Sequence, residues 1–125
     1  GFPLLLISEE SLADLSARLA EPVEMRRFRP NLVVRGAGAY AEDEWSRFRI
    51  GEIALRAVKP CSRCVLTTRD PETGQAGKEP LTTLATYRTR GDKVCFGMNV
   101  IADGQGELRV GDQLRVESAR AKLTP

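Results

Sequence analysis

The first part of the chain alternates apolar and polar residues with the spacing of a helix. Leu12, Leu15 and Leu19 recur at intervals of three and four residues, which places them on one helical stripe. Ser8 precedes them, and serine is a favoured residue at a helix N-cap. The pattern therefore predicts a capped amphipathic helix over residues 9–19.

Most of the remaining chain has the shorter period of β-strands. Residues 47–57 alternate between apolar and polar across Gly51-Glu52, which predicts a β-hairpin. A second helix is expected after Pro80, with Leu81 and Leu84 on its apolar stripe. Further strand-like runs lie at residues 2–7, 32–34, 65–68, 94–101, 108–110 and 113–116.

These elements together predict a mainly β fold. Many short strands with two or three helices are typical of a compact β-barrel, or a curled sheet, with the helices packed outside it. The length of 125 residues suits a single domain over residues 1–125, with a frayed tail at 117–125. The basic stretch 24–31 is expected to be extended because of Pro30, and the acidic residues 42–44 are expected to form a solvated turn.

Charge and composition exclude several kinds of function. There are 19 basic and 17 acidic residues, for a net charge of +2, whereas nucleic-acid-binding proteins usually have a strong basic excess. The chain contains no histidine, so histidine-dependent triads and metal sites are excluded. No apolar run reaches the roughly 18 residues of a membrane span. Three cysteines, an odd number, suit a reducing compartment and a cytoplasmic location.

The strongest local signal is the C-x-x-C pair Cys61 and Cys64. Such a pair suggests a zinc site, a redox disulfide or a soft-metal ligand; zinc would also need Cys95 and a carboxylate. Positions three apart on a strand point to opposite faces, so only one thiol could face a pocket. Lys59 and Arg63 would stabilise a thiolate there. The alternative is that both cysteines are small buried apolar residues.

Arginines form the second candidate site. Arg26, Arg27 and Arg29 lie close together before Pro30. The planar fork of a guanidinium group suits a phosphate. The alternative is an ordinary solvated basic face.

The ordered motifs of the chain resemble those of MOSC domains, the modules of molybdenum-cofactor sulfurases and of amidoxime-reducing molybdenum enzymes. The resemblance runs from about residue 6 to residue 116. The matching motifs are SEESLADL at 8–15, FRPNLVV at 28–34, YAEDEW at 40–45, CSRCVLTT at 61–68, DPETG at 70–74, KEPL at 78–81, FG at 96–97 and VGD at 110–112.

The resemblance implies a MOSC-type β-barrel that binds a pyranopterin molybdenum cofactor. In the family the second cysteine of the CSRC motif ligates molybdenum, which here is Cys64. Arg29, Ser62 and Arg63 would contact the cofactor. Asn99 stands where some relatives have an aromatic neighbour of the cofactor, which is a departure from the family pattern.

Two functions follow from the resemblance. The first is a domain of an oxidoreductase that reduces N-hydroxylated compounds, with electrons from a donor protein or a ferredoxin-like domain. The second is a sulfur carrier in cofactor sulfuration or maturation, associated with a pyridoxal-phosphate-dependent sulfurase. In the reductase branch an N-terminal β-barrel domain adds cofactor contacts. This chain is therefore expected to be a fragment that lacks that domain, binds the cofactor weakly or not at all, and is inactive alone.

Overall fold

The computed structural model describes residues 4–63, 79–104 and 106–119, and most of its regular structure is strand. These ranges contain two helices and two 3-10 turns, and the turns lie at Met25–Arg27 and Ala41–Glu44. No helix in these ranges is both long and apolar enough to cross a membrane. The strands and helices in chain order are β1 (Leu4–Ser8), α1 (Glu9–Ala17), β2 (Leu32–Val34), β3 (Trp45–Ile50), β4 (Ile53–Ser62), α2 (Leu81–Tyr87), β5 (Thr89–Arg90), β6 (Lys93–Ala102) and β7 (Leu114–Ala119).

The strands form one sheet in the order β2-β1-β6-β4-β3-β7, and β5 pairs with β6 beside this path. β1 and β2 are parallel, and the other pairs are antiparallel. Within the described ranges β2 and β7 are the two ends of the sheet. The sheet is curled into a half-barrel with two helices, which confirms the prediction of a mainly β fold with peripheral helices.

The curled sheet separates two hydrophobic clusters. The inner cluster contains Phe48, Leu55 and Met98, and side chains of both end strands pack against it. The outer cluster contains Ile7, Leu15, Leu84, Phe28 and Phe96 and lies between the sheet and the two helices. Each cluster fills one face of the sheet, because successive side chains of a strand point to opposite faces.

β6 contributes to both clusters, and Gly97 makes this possible. Phe96 belongs to the outer cluster and Met98 to the inner one, although residues two apart on a regular strand share a face. Gly97 lies between them with φ of +87°, a left-handed conformation that suits glycine. A Cβ at this position would lie 2.9 Å from Ile7 Cγ1 and 3.0 Å from Leu5 Cδ1. The β1 strand therefore packs directly on the backbone of Gly97.

The predicted helices and the hairpin are confirmed. Ser8 caps α1, because its Oγ accepts a hydrogen bond from Ser11 N at 3.0 Å. α1 ends at Ala17, two residues before the predicted end at 19. β3 and β4 pair across the turn at Gly51-Glu52, with Ile50 opposite Ile53.

Two assignments near the end of the chain differ from the structure. Residues 108–110 are not a strand but lead into a turn, where Arg109 N donates to Asp112 Oδ2 and Asp112 N donates to Arg109 O. β7 continues to Ala119, into the segment 117–125 predicted to be frayed, because its pairing with β3 extends that far. The predicted strand at 65–68 lies outside the described residues.

The prediction of extended geometry for 24–31 is wrong. Met25–Arg27 form a 3-10 turn, and Phe28 N donates to Met25 O at 3.0 Å. Arg29 then adopts φ of +51°, so the chain reverses before Pro30. The proline restricts only the residue preceding it, and Arg29 avoids the helical region by taking the left-handed one.

We predict that Gly97→Ala destabilises the fold by roughly 3 kcal/mol, because it adds overpacking against β1 to the cost of a left-handed alanine. Gly36→Ala is the matched control, since Gly36 has φ of +96° and, in the described part of the chain, no atom beyond its sequence neighbours within 4 Å of its Cβ position. It should cost only about 1 to 2 kcal/mol. Urea unfolding measures both, and equal losses in the two variants would contradict the role given to Gly97.

Candidate functional site

Arg63 is held at the end of β4 by the backbone of β6. Its Nε and Nη2 atoms donate to Phe96 O at 2.9 Å and 2.6 Å, and its own backbone N donates to Val94 O at 2.7 Å. The guanidinium carbon lies 5.1 Å from the centre of the Phe28 ring, within the range of a cation–π contact. Arg63 is therefore a positioned cation on the outer side of the sheet.

Arg29 follows Phe28, so it lies beside the same group of residues. The Phe28 and Phe96 rings pack with centroids 4.7 Å apart and anchor the turn to β6. The Arg29 side chain is exposed, and its left-handed backbone is uncommon for a residue other than glycine. Such conformations often occur at functional sites, where the surrounding structure compensates for their cost.

Asn31 ties the turn that carries Arg29 to β1. Its Oδ1 accepts from Leu5 N at 2.8 Å, and its backbone N donates to Leu5 O at 2.9 Å. This reciprocal pair of bonds fixes the position of the turn next to the sheet. Sequence analysis did not assign a role to Asn31.

Asn99 lies on β6, in a row of residues that runs across β1, β6 and β4. It pairs with Leu5 on one side and with Lys59 on the other. Leu5 packs against the outer cluster, so Asn99 opposite it lies on the outer face, and so does Lys59 opposite Asn99. The fold thus brings Arg63, Asn99 and the turn of Arg29 to one side of β1, β6 and β4.

The cysteine motif lies where β4 ends. Ser62 is exposed and opposite Cys95, and Cys61 is half-buried with a free thiol. Cys95 is buried, and burial raises the pKa of its thiol. Cys64, the predicted metal ligand, lies outside the described residues. Among the residues that the structure does describe, no three His, Cys, Asp or Glu side chains are grouped as metal ligands.

The donors on this face suit an anion. Arginine, lysine and asparagine side chains present N–H groups, and the charged ones form the strongest hydrogen bonds with phosphate or carboxylate oxygens. Arg63 is also shielded by an aromatic ring and anchored at both its backbone and its side chain. A preorganised cation loses little conformational entropy when it binds.

The acidic turn at 42–44 is not solvated, which corrects the sequence interpretation. Glu42 is 1% exposed and Asp43 is 4% exposed. Glu42 Oε2 accepts from Ser8 N at 2.9 Å and from Ser11 Oγ at 2.8 Å, at the start of α1. A carboxylate is favourable there because of the helix dipole. Its Oε1 atom has no partner among the described residues, and burial raises the pKa of Glu42.

Asp43 forms a buried ion pair with Arg88. Arg88 Nη1 lies 2.6 Å from Asp43 Oδ2, and Nη2 lies 3.1 Å from Oδ1. Arg88 Nε also donates to Cys95 O at 3.1 Å. Burial opposes the charge of Arg88, but Asp43 outweighs it and raises the pKa of the guanidinium. The pair joins the 3-10 turn to β6 at Cys95, which lies opposite Ser62.

A tyrosine pair extends this polar network toward the surface. The hydroxyls of Tyr40 and Tyr87 are 2.5 Å apart, and Tyr40 Oη donates to Asp14 Oδ2 at 2.8 Å. Burial raises the pKa of Tyr40, so its hydroxyl remains a donor. Arg88 lies over the Tyr40 ring at 4.4 Å, and Arg18 lies over the Tyr87 ring at 3.9 Å.

The chain is similar to several known proteins. The family model described as MOSC domain matches residues 1–115. Mitochondrial amidoxime-reducing component 1 of Homo sapiens is 44% identical over 119 residues, which cover 88% of this chain and 35% of that protein. Molybdenum cofactor sulfurase of Oryza sativa subsp. japonica is 41% identical over 128 residues, which cover 90% of this chain and 16% of that protein. The chain thus spans about a third or less of the length of these curated relatives.

A solved structure shares the fold. YiiM from Geobacillus stearothermophilus superposes with a TM-score of 0.53 over 94% of this chain and 51% of that chain. The sequence identity is 13%, so this similarity concerns the fold alone.

We predict that Glu42→Gln changes how stability depends on pH. The folded state holds the Glu42 proton more tightly than the unfolded state, so this contribution is present below the ordinary pKa of 4.5 and lost as pH rises through the raised value. The stability of the unmodified protein relative to the variant should therefore fall from pH 4.5 to neutral pH. Urea unfolding at several pH values measures it. Glu44→Gln, which removes an equal charge from the same turn, is the control, and parallel pH curves for Glu42→Gln and the unmodified protein would refute the prediction.

We also predict that Asn31→Ala exposes the Leu5 amide to exchange. The variant removes the acceptor of the Leu5 N–H, a bond worth roughly 1 kcal/mol, so protection of that amide should fall about fivefold. Hydrogen exchange followed by NMR measures it. Asn99→Ala is the matched control, because it removes an asparagine from the neighbouring strand without touching the Leu5 N–H. Unchanged protection in Asn31→Ala would show that the turn is held by other contacts.

Proposed function

Because the chain belongs to the MOSC domain family, we propose that it is the cofactor-binding part of a molybdenum-dependent oxidoreductase that reduces N-hydroxylated compounds. The observation that carries this proposal is the positioned Arg63 beside the turn of Arg29. Arg63 is the third residue of the CSRC motif, whose last residue, Cys64, is the metal ligand that the resemblance implies.

The donor set of this face fits a pyranopterin molybdenum cofactor. The cofactor has an anionic phosphate, and Arg63 and Arg29 are cations that bind phosphate in a planar, directed manner. Ser62 and Asn99 add neutral donors of the kind that orient polar ring atoms. A sulfur-rich metal centre needs a soft protein ligand and no histidine, which agrees with a chain that contains none.

Each residue has a proposed role in holding the cofactor. Cys64 is the thiolate ligand to molybdenum, a role assigned from the motif. Arg63 and Arg29 bind the phosphate, and Ser62 and Asn99 orient the pterin. Asn99 replaces an aromatic residue of some relatives, so it would hold the cofactor through a hydrogen bond instead of ring packing.

The bound molybdenum centre would supply the two-electron chemistry that reduces an N–O bond. The chain itself supplies the orientation, the charge that neutralises the phosphate and the shielding of Arg63 by the Phe28 ring. Orientation and electrostatics are the usual contributions of a protein to a cofactor enzyme.

The names of the relatives support this choice of reaction. An amidoxime is an N-hydroxylated compound, and an amidoxime-reducing component matches most of this chain. That relative is far longer, so further domains and an electron-donor protein or ferredoxin-like domain are part of the proposal. We propose a cytoplasmic location, because the odd number of cysteines in this chain suits a reducing compartment.

The second candidate function is sulfur transfer to the molybdenum cofactor. The match to a molybdenum cofactor sulfurase favours it. Cys64 would then carry a persulfide, with a pyridoxal-phosphate-dependent sulfurase as the source of sulfur. The cations of the site would bind the cofactor in the same orientation.

We predict that, in the full-length protein, Cys64→Ala abolishes molybdenum content and the reduction of an amidoxime, because the metal loses its protein ligand. Arg63→Ala should lower molybdenum occupancy about tenfold by removing a charge-assisted bond. Cys61→Ala is the matched control and should retain both properties. Metal analysis and turnover of benzamidoxime measure the effects.

Other outcomes separate the two functions. Full molybdenum and activity in Cys64→Ala would reject the ligand assignment. An intact mass one sulfur atom heavier at Cys64 after incubation with a sulfurase, without amidoxime turnover, would favour sulfur transfer. For the isolated chain we expect little molybdenum, and stoichiometric metal would contradict this.

A further inference from the structure

The outer face of the sheet has two different halves. α1 packs on β1, and α2 packs on β5 and β6. The other half, formed by β3, β4 and β7, presents an arginine face, defined as Arg47, Arg49, Arg56 and Arg115. These side chains point outward because their strand neighbours Phe48, Ile50, Leu55 and Leu114 pack against the inner cluster.

The arginines stand opposite one another. Arg47 pairs across strands with Arg56, and Arg49 pairs with Arg115. Like charges directly opposite in a sheet are destabilising. This arrangement of arginines therefore does not stabilise the fold and needs another explanation.

Local carboxylates neutralise only half of the face. Arg49 lies 3.2 Å from Glu117, and Arg56 lies 2.7 Å from Asp103. Arg47 and Arg115 have no acidic partner within the described residues, and both are exposed. Val58 lies on β4 two residues beyond Arg56, and its exposed side chain adds apolar surface to this face.

We propose that the arginine face docks an acidic surface of a partner protein. Arginine is enriched at protein interfaces, and its planar fork matches carboxylates. Arg47 and Arg115 would bind carboxylates of the partner, and Val58 would be buried beside them. The proposal goes beyond the cofactor function and does not depend on it.

The mixed charge of this half-sheet favours a protein over a polyphosphate. Glu117 and Asp103 lie among the arginines, and they would repel a nucleic acid or an anionic membrane. A protein surface can place basic or neutral groups opposite them. The net charge of +2 also falls short of the basic excess of nucleic-acid-binding proteins.

Titration of the 15N-labelled protein with poly-L-glutamate tests the proposal. We expect amide shifts in β3, β4 and β7 and none in the turn of Arg29 or at Arg63. The double variant Arg47→Glu/Arg115→Glu should weaken binding about tenfold. The variant Arg35→Glu/Arg109→Glu makes the same charge change at exposed arginines elsewhere, so it should weaken binding at most about twofold.

Thermal unfolding shows whether each variant remains folded. Equal weakening in both double variants, or amide shifts centred on Arg63, would overturn the proposal. Tighter binding of a DNA duplex or of phosphatidylserine vesicles through the same amides would also overturn it, because the partner would then carry phosphates and not carboxylates.

Discussion

The packing of β1 on the backbone of Gly97 is the constraint on which the rest of the fold depends. The left-handed φ of this residue moves the side chains of β6 from the outer face to the inner face. One strand can then supply Phe96 to the layer under the helices and Met98 to the interior of the half-barrel. A side chain at this position would clash with Leu5 and Ile7 of β1, and both hydrophobic layers contain residues of β1 and β6.

The candidate site depends on the same place in β6. The carbonyl of Phe96, next to Gly97, accepts both hydrogen bonds of Arg63, while the Phe96 ring packs on Phe28 and holds the turn of Arg29. The positions of Arg63 and Arg29 are therefore a consequence of the backbone geometry of the sheet. This explains how side chains on three separate segments are brought to one side of the sheet.

Local signals in the sequence predicted the elements but not the buried polar contacts. Ser8 and the leucine spacing predicted α1, and alternation predicted the hairpin, because both depend on neighbours in sequence. The burial of Glu42 depends on Ser11, 31 positions away, and that of Asp43 depends on Arg88, 45 positions away. The local sequence of three consecutive acidic residues does not distinguish a buried turn from a solvated one. The resemblance of the motifs predicted Arg29, Arg63 and Asn99 as site residues. The two hydrogen bonds between Asn31 and Leu5 could not be predicted, because they depend on how β1 lies beside the turn.

The division of the outer face gives the half-barrel two separate working surfaces. The cations of the site lie over β1, β6 and the end of β4, whereas the arginine face occupies β3, β7 and the start of β4. A protein bound to the second surface would leave the first one open, since β4 changes from one surface to the other along its ten residues. The register shifts between Ala57 and Lys59 and between Pro60 and Ser62 mark that change. Irregularities of this kind change the direction of side chains within a strand. Here they lie between Arg56, which belongs to the arginine face, and Arg63, which belongs to the candidate site.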